Sequence, residues 1–271
     1  MRLLNQRGDS RVYHATWQEL ISEVERVDLM CVDAPYSEKT HNGHDAGALK
    51  AERARQWAAS RTDEHLARPN AKHERKYARK VEAQRSKLEY AFWSPLDVAR
   101  FVFSWDSKVT GWFVSLTDDQ LAPYWKSALE ETGRYVFSPV ACVEPGSRVR
   151  MSGDGPSQWS CFAVIARPKS EDYSHWGAMP GAYVVPPGCN PRPANGGKAV
   201  TGGKPLWLME RLVGDYSRVG DVVCDPVAGA GTTLAAAVTL GRTAIGGDAD
   251  LERADQAARS IDGFRQVEIQ F

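Results

Sequence analysis

The last quarter of this chain constrains its fold more than any other stretch, because strand and helix patterns alternate there in short order. Residues 205–214 read as a helix, 221–225 as a short buried strand, 232–240 as a helix, 243–247 as a second strand and 250–261 as a third helix. Strands separated by helices at this spacing pair in parallel through right-handed crossovers, which predicts an α/β fold with helices on both faces of the sheet. A chain of 271 residues without internal repeats can bury one large core, so a single domain over 1–271 is expected.

Upstream, residues 27–32 (VDLMCV) form a short apolar run that stops at Asp33-Ala34-Pro35-Tyr36, a buried strand followed by a loop. A helical pattern opens at Pro95, a strand is read at 111–116, and Asp118 stands where the N-cap of a helix reaching about residue 131 would be. Segments 134–143 and 160–166, joined by a Gly/Ser/Pro loop over 145–156, pair as an antiparallel hairpin at one edge of the mostly parallel sheet. Residues 168–203 are rich in glycine and proline and read as irregular, with Trp176 and Tyr183 as isolated anchors.

Asp225-Pro226-Val227-Ala228-Gly229-Ala230-Gly231-Thr232 lies between a strand and a helix, where glycines let a ligand approach the backbone and the helix start offers free N–H groups. Asp248 ends the next strand, in position to accept both hydroxyls of a ribose. Phosphate recognition is disfavoured: no Gly-Lys-Ser/Thr follows the loop, and Leu234 stands where a dinucleotide fingerprint wants a small residue. An adenosine without phosphates fits better.

The loop at Asp33 suits a different task. An exocyclic amine on a nucleobase is a poor nucleophile because its lone pair is delocalised into the ring. A site that makes it attack must accept hydrogen bonds from both N–H groups. The Asp33 carboxylate and the Ala34 carbonyl are the candidate acceptors, Pro35 stiffens the turn, and Tyr36 is the candidate stacking partner for the ring.

Together these two motifs resemble those of the DNA amino-methyltransferases, in which Asp-Pro-Pro-Tyr and Asp-Pro-Phe-Ala-Gly-Ser-Gly recur. The order, with the Asp33–Tyr36 motif ahead of the glycine loop, resembles the β class of that family. The resemblance implies a Rossmann-like methyltransferase fold and S-adenosylmethionine as cofactor. It assigns Asp33, Ala34, Pro35 and Tyr36 to catalysis. For cofactor binding it implies Asp33, Lys204, Pro205, Asp225, Val227, Ala228, Gly229, Gly231, Thr232 and Asp248. Aspartate as the first residue of the tetrapeptide favours N6 of adenine in this family, whereas serine more often accompanies N4 of cytosine. Cytosine N4 is the first alternative, and an RNA amine or another planar amine the second. An oxidoreductase and a non-catalytic nucleic-acid-binding protein are further alternatives. Ala34 departs from the first proline of the tetrapeptide, Val227 from the phenylalanine, and residues 200–203 from a His-Pro-Thr that often precedes Lys-Pro.

Net charge is zero, so a polyanionic partner must be sought in how charge is distributed. Residues 41–90 read as a basic, helix-prone insertion, in which Arg75, Lys76, Arg79 and Lys80 cluster. Together with Arg148 and Arg150 they are the candidate phosphate contacts for double-stranded DNA. The region 145–203, which also holds Gln158, Arg192 and Asn195, is where a target-recognition segment is expected. Members of this class often dimerise, so a homodimer is among the expected partners, although no apolar patch in the sequence marks an interface. The five cysteines form no Cys-x-x-Cys and no His/Cys cluster, so reduced thiols and no metal are expected. The absence of a Pro-Cys pair argues against cytosine-C5 chemistry, which needs a cysteine nucleophile. With neither a signal-like start nor a membrane-length apolar run, a soluble cytoplasmic protein is expected.

Overall fold

The computed structural model describes residues 1–40, 92–147, 156–169, 173–189 and 203–262. Within them a ten-stranded sheet carries helices on both faces. Strands β1 (Arg2–Arg7) and β2 (Ser10–His14) form an antiparallel hairpin that the sequence patterns did not reveal. A one-turn helix α1 (Trp17–Leu20) follows, held by a capping box between Thr16 and Glu19. Next come β3 (Val27–Asp33), α2 (Pro95–Trp105), β4 (Val109–Thr117) and α3 (Ala122–Glu131). Four strands succeed one another as β5 (Tyr135–Val136), β6 (Val140–Val143), β7 (Ser160–Arg167) and β8 (Ala182–Val184). The chain then alternates as expected through α4 (Leu206–Tyr216), β9 (Val222–Asp225), α5 (Thr232–Thr239), β10 (Thr243–Asp248) and α6 (Leu251–Ser260).

The strand order is β1-β2-β10-β9-β3-β4-β7-β6-β8, with β5 also on β7. Strands β2, β10, β9, β3 and β4 are mutually parallel. The antiparallel β6–β7 hairpin is present, but it is not the outermost element, because β8 pairs in parallel with β6 beyond it. Tyr183 is therefore a buried strand residue in a stretch that glycine and proline content had marked as irregular. Trp176 is not isolated either, since its ring meets Trp112 edge-on at 5.5 Å and the Arg218 guanidinium lies 3.6 Å from its centre.

Strand β3 is central because it is apolar on both faces. Leu29 and Cys31 enter the core under α4, α5 and α6, while Met30 and Val32 enter the core under α1, α2 and α3, and all four are fully buried. In the second core Phe101 sits edge-on to Trp17, Phe113 and Trp125 at centroid distances of 5.4, 6.4 and 5.8 Å. Such packing holds the strand ends in fixed register. Connections from β9 run toward β10 and those from β3 toward β4, so the chain reverses its winding between β9 and β3, the place where open α/β sheets bind ligands.

Candidate active site

Four adjacent parallel strands each present an aspartate at the same end. In sheet order these are Asp248 at the end of β10, Asp225 at the end of β9, Asp33 at the end of β3, and Asp118 one residue past β4. Two loops that are far apart in sequence thus leave the sheet side by side.

On the β9–β10 side the glycine loop is held by short-range bonds. Val227 N–H donates to Asp225 Oδ1 at 3.2 Å, Ala228 N–H to the Gly247 carbonyl at 2.9 Å, and Gly229 N–H to Asp248 Oδ2 at 3.0 Å. Gly229 has φ +53°, and a Cβ there would meet nothing within 4 Å, so the backbone faces open space. Gly231, at φ +84°, is constrained from the opposite side: a Cβ would fall 2.6 Å from Ala257 Cα of helix α6. One glycine leaves room for a ligand and the other lets two helices meet. Thr232 opens α5, and Pro205 is the N-cap of α4.

Three carboxylates crowd this side. Burial pushes the Asp225 carboxyl up to about 7; the Thr233 hydroxyl and Val227 N–H oppose the shift, and the negative charges of Asp33 and Asp248 add to it. Asp248 is likewise raised, chiefly by burial, against the N–H bonds of Asp250 and Gly229. No lysine or arginine lies in the glycine loop itself. Such surroundings disfavour a phosphate and favour a cation, as the sulfonium and ammonium groups of S-adenosylmethionine would be.

Lys204 packs against the Asp33–Tyr36 loop. Its ammonium lies 2.9 Å from Asp33 Oδ1 and 3.0 Å from Oδ2, and 4.7 Å from the centre of the Tyr36 ring. The sequence reading placed Lys204 with the cofactor alone, yet it contacts both ends of the Asp33–Tyr36 loop. Burial, then the charge of Asp33, pushes the Tyr36 phenol well above its ordinary range.

Beyond Tyr36 opens a cavity of about 240 Å³. Pockets for drug-sized ligands start at roughly 300 Å³, so this one is on the scale of a single flat ring. Tyr36, Lys204, Asp118, Cys142, Cys161 and Trp159 are among its walls, Gln158 from the expected recognition region also lines it, and no residue of the glycine loop does. Cys142 and Cys161 face each other across β6 and β7. A hydrogen bond from Cys142 lowers the Cys161 thiol against the effect of burial, with help from the Lys204 charge. All five cysteines are free.

Asp118 departs from its expected role. Helix α3 starts at Ala122 with Leu121 as N-cap, so Asp118 lies too far ahead to cap it, and its carboxylate bonds instead to the turn before the helix and to Ser37 and Thr40. Neither Ser37 nor Thr40 was singled out in the sequence, and only a residue's place at a strand end hints at such a contact. Trp93 donates its N–H to the Tyr36 carbonyl at 3.1 Å and stacks on Trp125 at 6.0 Å. Both flanks of segment 41–91 are therefore fastened beside the Asp33–Tyr36 loop. Arg75, Lys76, Arg79, Lys80, Arg148, Arg150, Arg192 and Asn195 lie outside the described residues.

A family model described as DNA methylase, for the N6/N4 methyltransferases, matches residues 62–259. The chain belongs to the N6/N4 DNA methylase family. The match takes in the glycine loop and Lys204 but begins after Asp33–Tyr36, so the geometry above is what ties that tetrapeptide to the methylase core. A search of curated proteins returns no match. Among solved structures the methylase is similar to M1.HpyAVI in complex with SAM, with a TM-score of 0.58, 19% identity, and coverage of 93% of this chain and 98% of that one. It is also similar to the cytosine-N4-specific PvuII DNA methyltransferase, with a TM-score of 0.61, 15% identity, and coverage of 99% and 91%. At these identities the likeness establishes the fold. Among the described residues no helix is long and apolar enough to cross a membrane.

Proposed function

We propose that this methylase transfers a methyl group from S-adenosylmethionine to N6 of adenine in double-stranded DNA, at a base flipped out of the helix. The juxtaposition of Asp33, paired with Lys204, and the glycine loop on adjacent strands carries the proposal. S-adenosylmethionine supplies an electrophilic methyl on a sulfonium. Its adenosine would lie over the bare Gly229 turn with the ribose at Asp248, and its positive charges would meet the Asp33–Asp225 side.

The chain's own residues then prepare the amine. Each Asp33 oxygen keeps a lone pair beyond its contact with Lys204, so the carboxylate can accept one N–H of the base while the Ala34 carbonyl accepts the other. Holding both N–H groups turns the nitrogen lone pair out of the ring plane and toward the methyl. Tyr36 stacks on the ring, and the cavity past it gives the flat ring room. The methylated amine would carry one proton too many, and Asp33, already its hydrogen-bond acceptor, is placed to take that proton.

For the DNA itself, the fastening of Thr40 and Trp93 beside Tyr36 supports phosphate contacts from the basic segment 41–90, with Arg75, Lys76, Arg79 and Lys80, and from Arg148 and Arg150. Adenine is favoured because the tetrapeptide opens with aspartate rather than serine. The cytosine reading draws on the similarity to the PvuII enzyme.

Methylation with labelled cofactor, followed by digestion of the DNA to nucleosides, tests the proposal. N6-methyladenine is the expected product. N4-methylcytosine alone would move the assignment to the alternative, and label on RNA but not on duplex DNA would overturn both.

A further inference from the structure

We propose that Asp118 is a positioning residue that fixes the Asp33–Tyr36 loop through Ser37 and Thr40, and so governs turnover without touching the reacting atoms. The inference rests on the function proposed above. Asp118 is 2% exposed, and among the described residues no ion pair to it is recorded, although isolated charge is costly to bury. Its compensation comes from donors alone. Oδ1 accepts the N–H groups of Gln120 at 3.2 Å and Leu121 at 2.9 Å, which set the turn after β4. Oδ2 accepts from Ser37 N–H at 2.9 Å, Ser37 Oγ at 2.5 Å and Thr40 Oγ1 at 2.6 Å. Burial would raise this carboxyl, but the bonds from Ser37, Thr40 and Leu121 outweigh it and hold it below the usual range.

An ionised carboxylate is the one acidic-size side chain that meets five donors with no donor of its own. Its two oxygens divide the work, one for the β4 turn and one for the loop after β3. Ser37 directly follows Tyr36, and its hydroxyl also accepts the Thr40 N–H at 3.4 Å, starting the helical turn of residues 38–40. Tyr36 is thereby gripped from its carboxyl side by Asp118 and at its own carbonyl by Trp93. Where the family tetrapeptide has its first proline this chain has Ala34, and a neighbouring strand holds the loop from outside.

Asp118→Asn is close in shape but must turn an NH₂ toward donors on one side. Turnover should fall about 100-fold, the scale of a misplacement of roughly 1 Å near the reacting atoms. The cofactor dissociation constant, measured calorimetrically, should stay within about threefold, because Gly229 and Asp248 are untouched; a residue needed only for folding would move both. Ser37→Ala combined with Thr40→Val should lower turnover similarly, and adding Asp118→Asn to that pair should cost little more, since the contacts are already gone. Independent, multiplying losses would overturn the proposal, as would unchanged turnover in Asp118→Asn or equal loss of cofactor affinity. Should Asp118→Asn not fold, the Ser37/Thr40 pair decides alone, with wild-type turnover overturning the proposal. Asp33→Ala serves as the control: if it turns over normally, the function proposed above fails, whereas a dead Asp33→Ala with no Asp118 coupling removes only the positioning role.

Discussion

The two sides of the Lys204–Asp33 pair are built in opposite ways. On the cofactor side the holding bonds are close in sequence: Val227 to Asp225 spans two residues and Gly229 to Asp248 spans 19. On the base-facing side they are distant: Ser37 to Asp118 spans 81 residues and Lys204 to Asp33 spans 171. A strand-turn-helix unit makes the first almost by itself, with loop shape fixed by two glycines at positive φ. The second exists only when β3, β4, β6, β7 and the segment before α4 have all assembled. On the proposed assignment, cofactor recognition is a local property of this methylase, while presentation of the base is a property of the whole sheet.

The sharpest way to break this comparison is Asp33→Ala. Removing the acceptor of the amine should lower turnover by about 1,000-fold, within the 10²–10⁴ range of positioned proton acceptors, while cofactor affinity falls only modestly. Single-turnover methyl transfer and calorimetry measure the two quantities, and a parallel collapse would mean that the two sides are not separable. Asp248→Ala is the converse. Loss of hydrogen bonds to a charged group is worth roughly 1.5–3 kcal/mol, so the cofactor dissociation constant should rise about 10- to 100-fold with the rate at saturating cofactor nearly preserved. A lower saturated rate with unchanged affinity would place Asp248 on the wrong side of the divide.

The same division decides how much was legible in the sequence. Strand, glycine turn, helix and acid follow one another within 225–248, so period, spacing and turn chemistry specify them. The β3 loop was also legible, because an apolar run must stop before a polar tetrapeptide. Asp118 was misread because its local surroundings, two N–H acceptor contacts to Gln120 and Leu121, mimic a helix cap, and the decisive partners come from another strand. Strand β8 was missed since only three residues pair with β6, and alternation cannot be read over three residues among glycines and prolines. Strands β1 and β2 were missed for a related reason: β1 is largely exposed and lacks a buried face. Cys142 and Cys161 gave no signal at all, because a cavity wall formed by facing strands leaves no spacing in one chain.

Acidity offers a subtler test, since Asp225 on one side and Asp118 on the other are shifted in opposite directions. Asp225 is raised to about 7, by burial first and by its carboxylate neighbours next, whereas in the unfolded chain it titrates near 4, at about 3.9. Between those values the folded protein holds a proton that the unfolded chain has lost, so the contribution of Asp225 is complete below about pH 4 and disappears as pH rises through about 7. Asp118 is lowered, so its contribution is present above about pH 4 and is lost on acidification. In urea titrations Asp225→Asn should therefore lose less stability than the wild type between pH 5 and pH 8, while Asp118→Asn should flatten the acid side of the profile and leave the alkaline side unchanged. A bound cation would reverse the pressure on Asp225 and expel its proton. Cofactor affinity should then increase up to about pH 7 in the wild type and change less in Asp225→Asn, and identical slopes in the two proteins would show that the buried carboxyl is already ionised before the cofactor arrives.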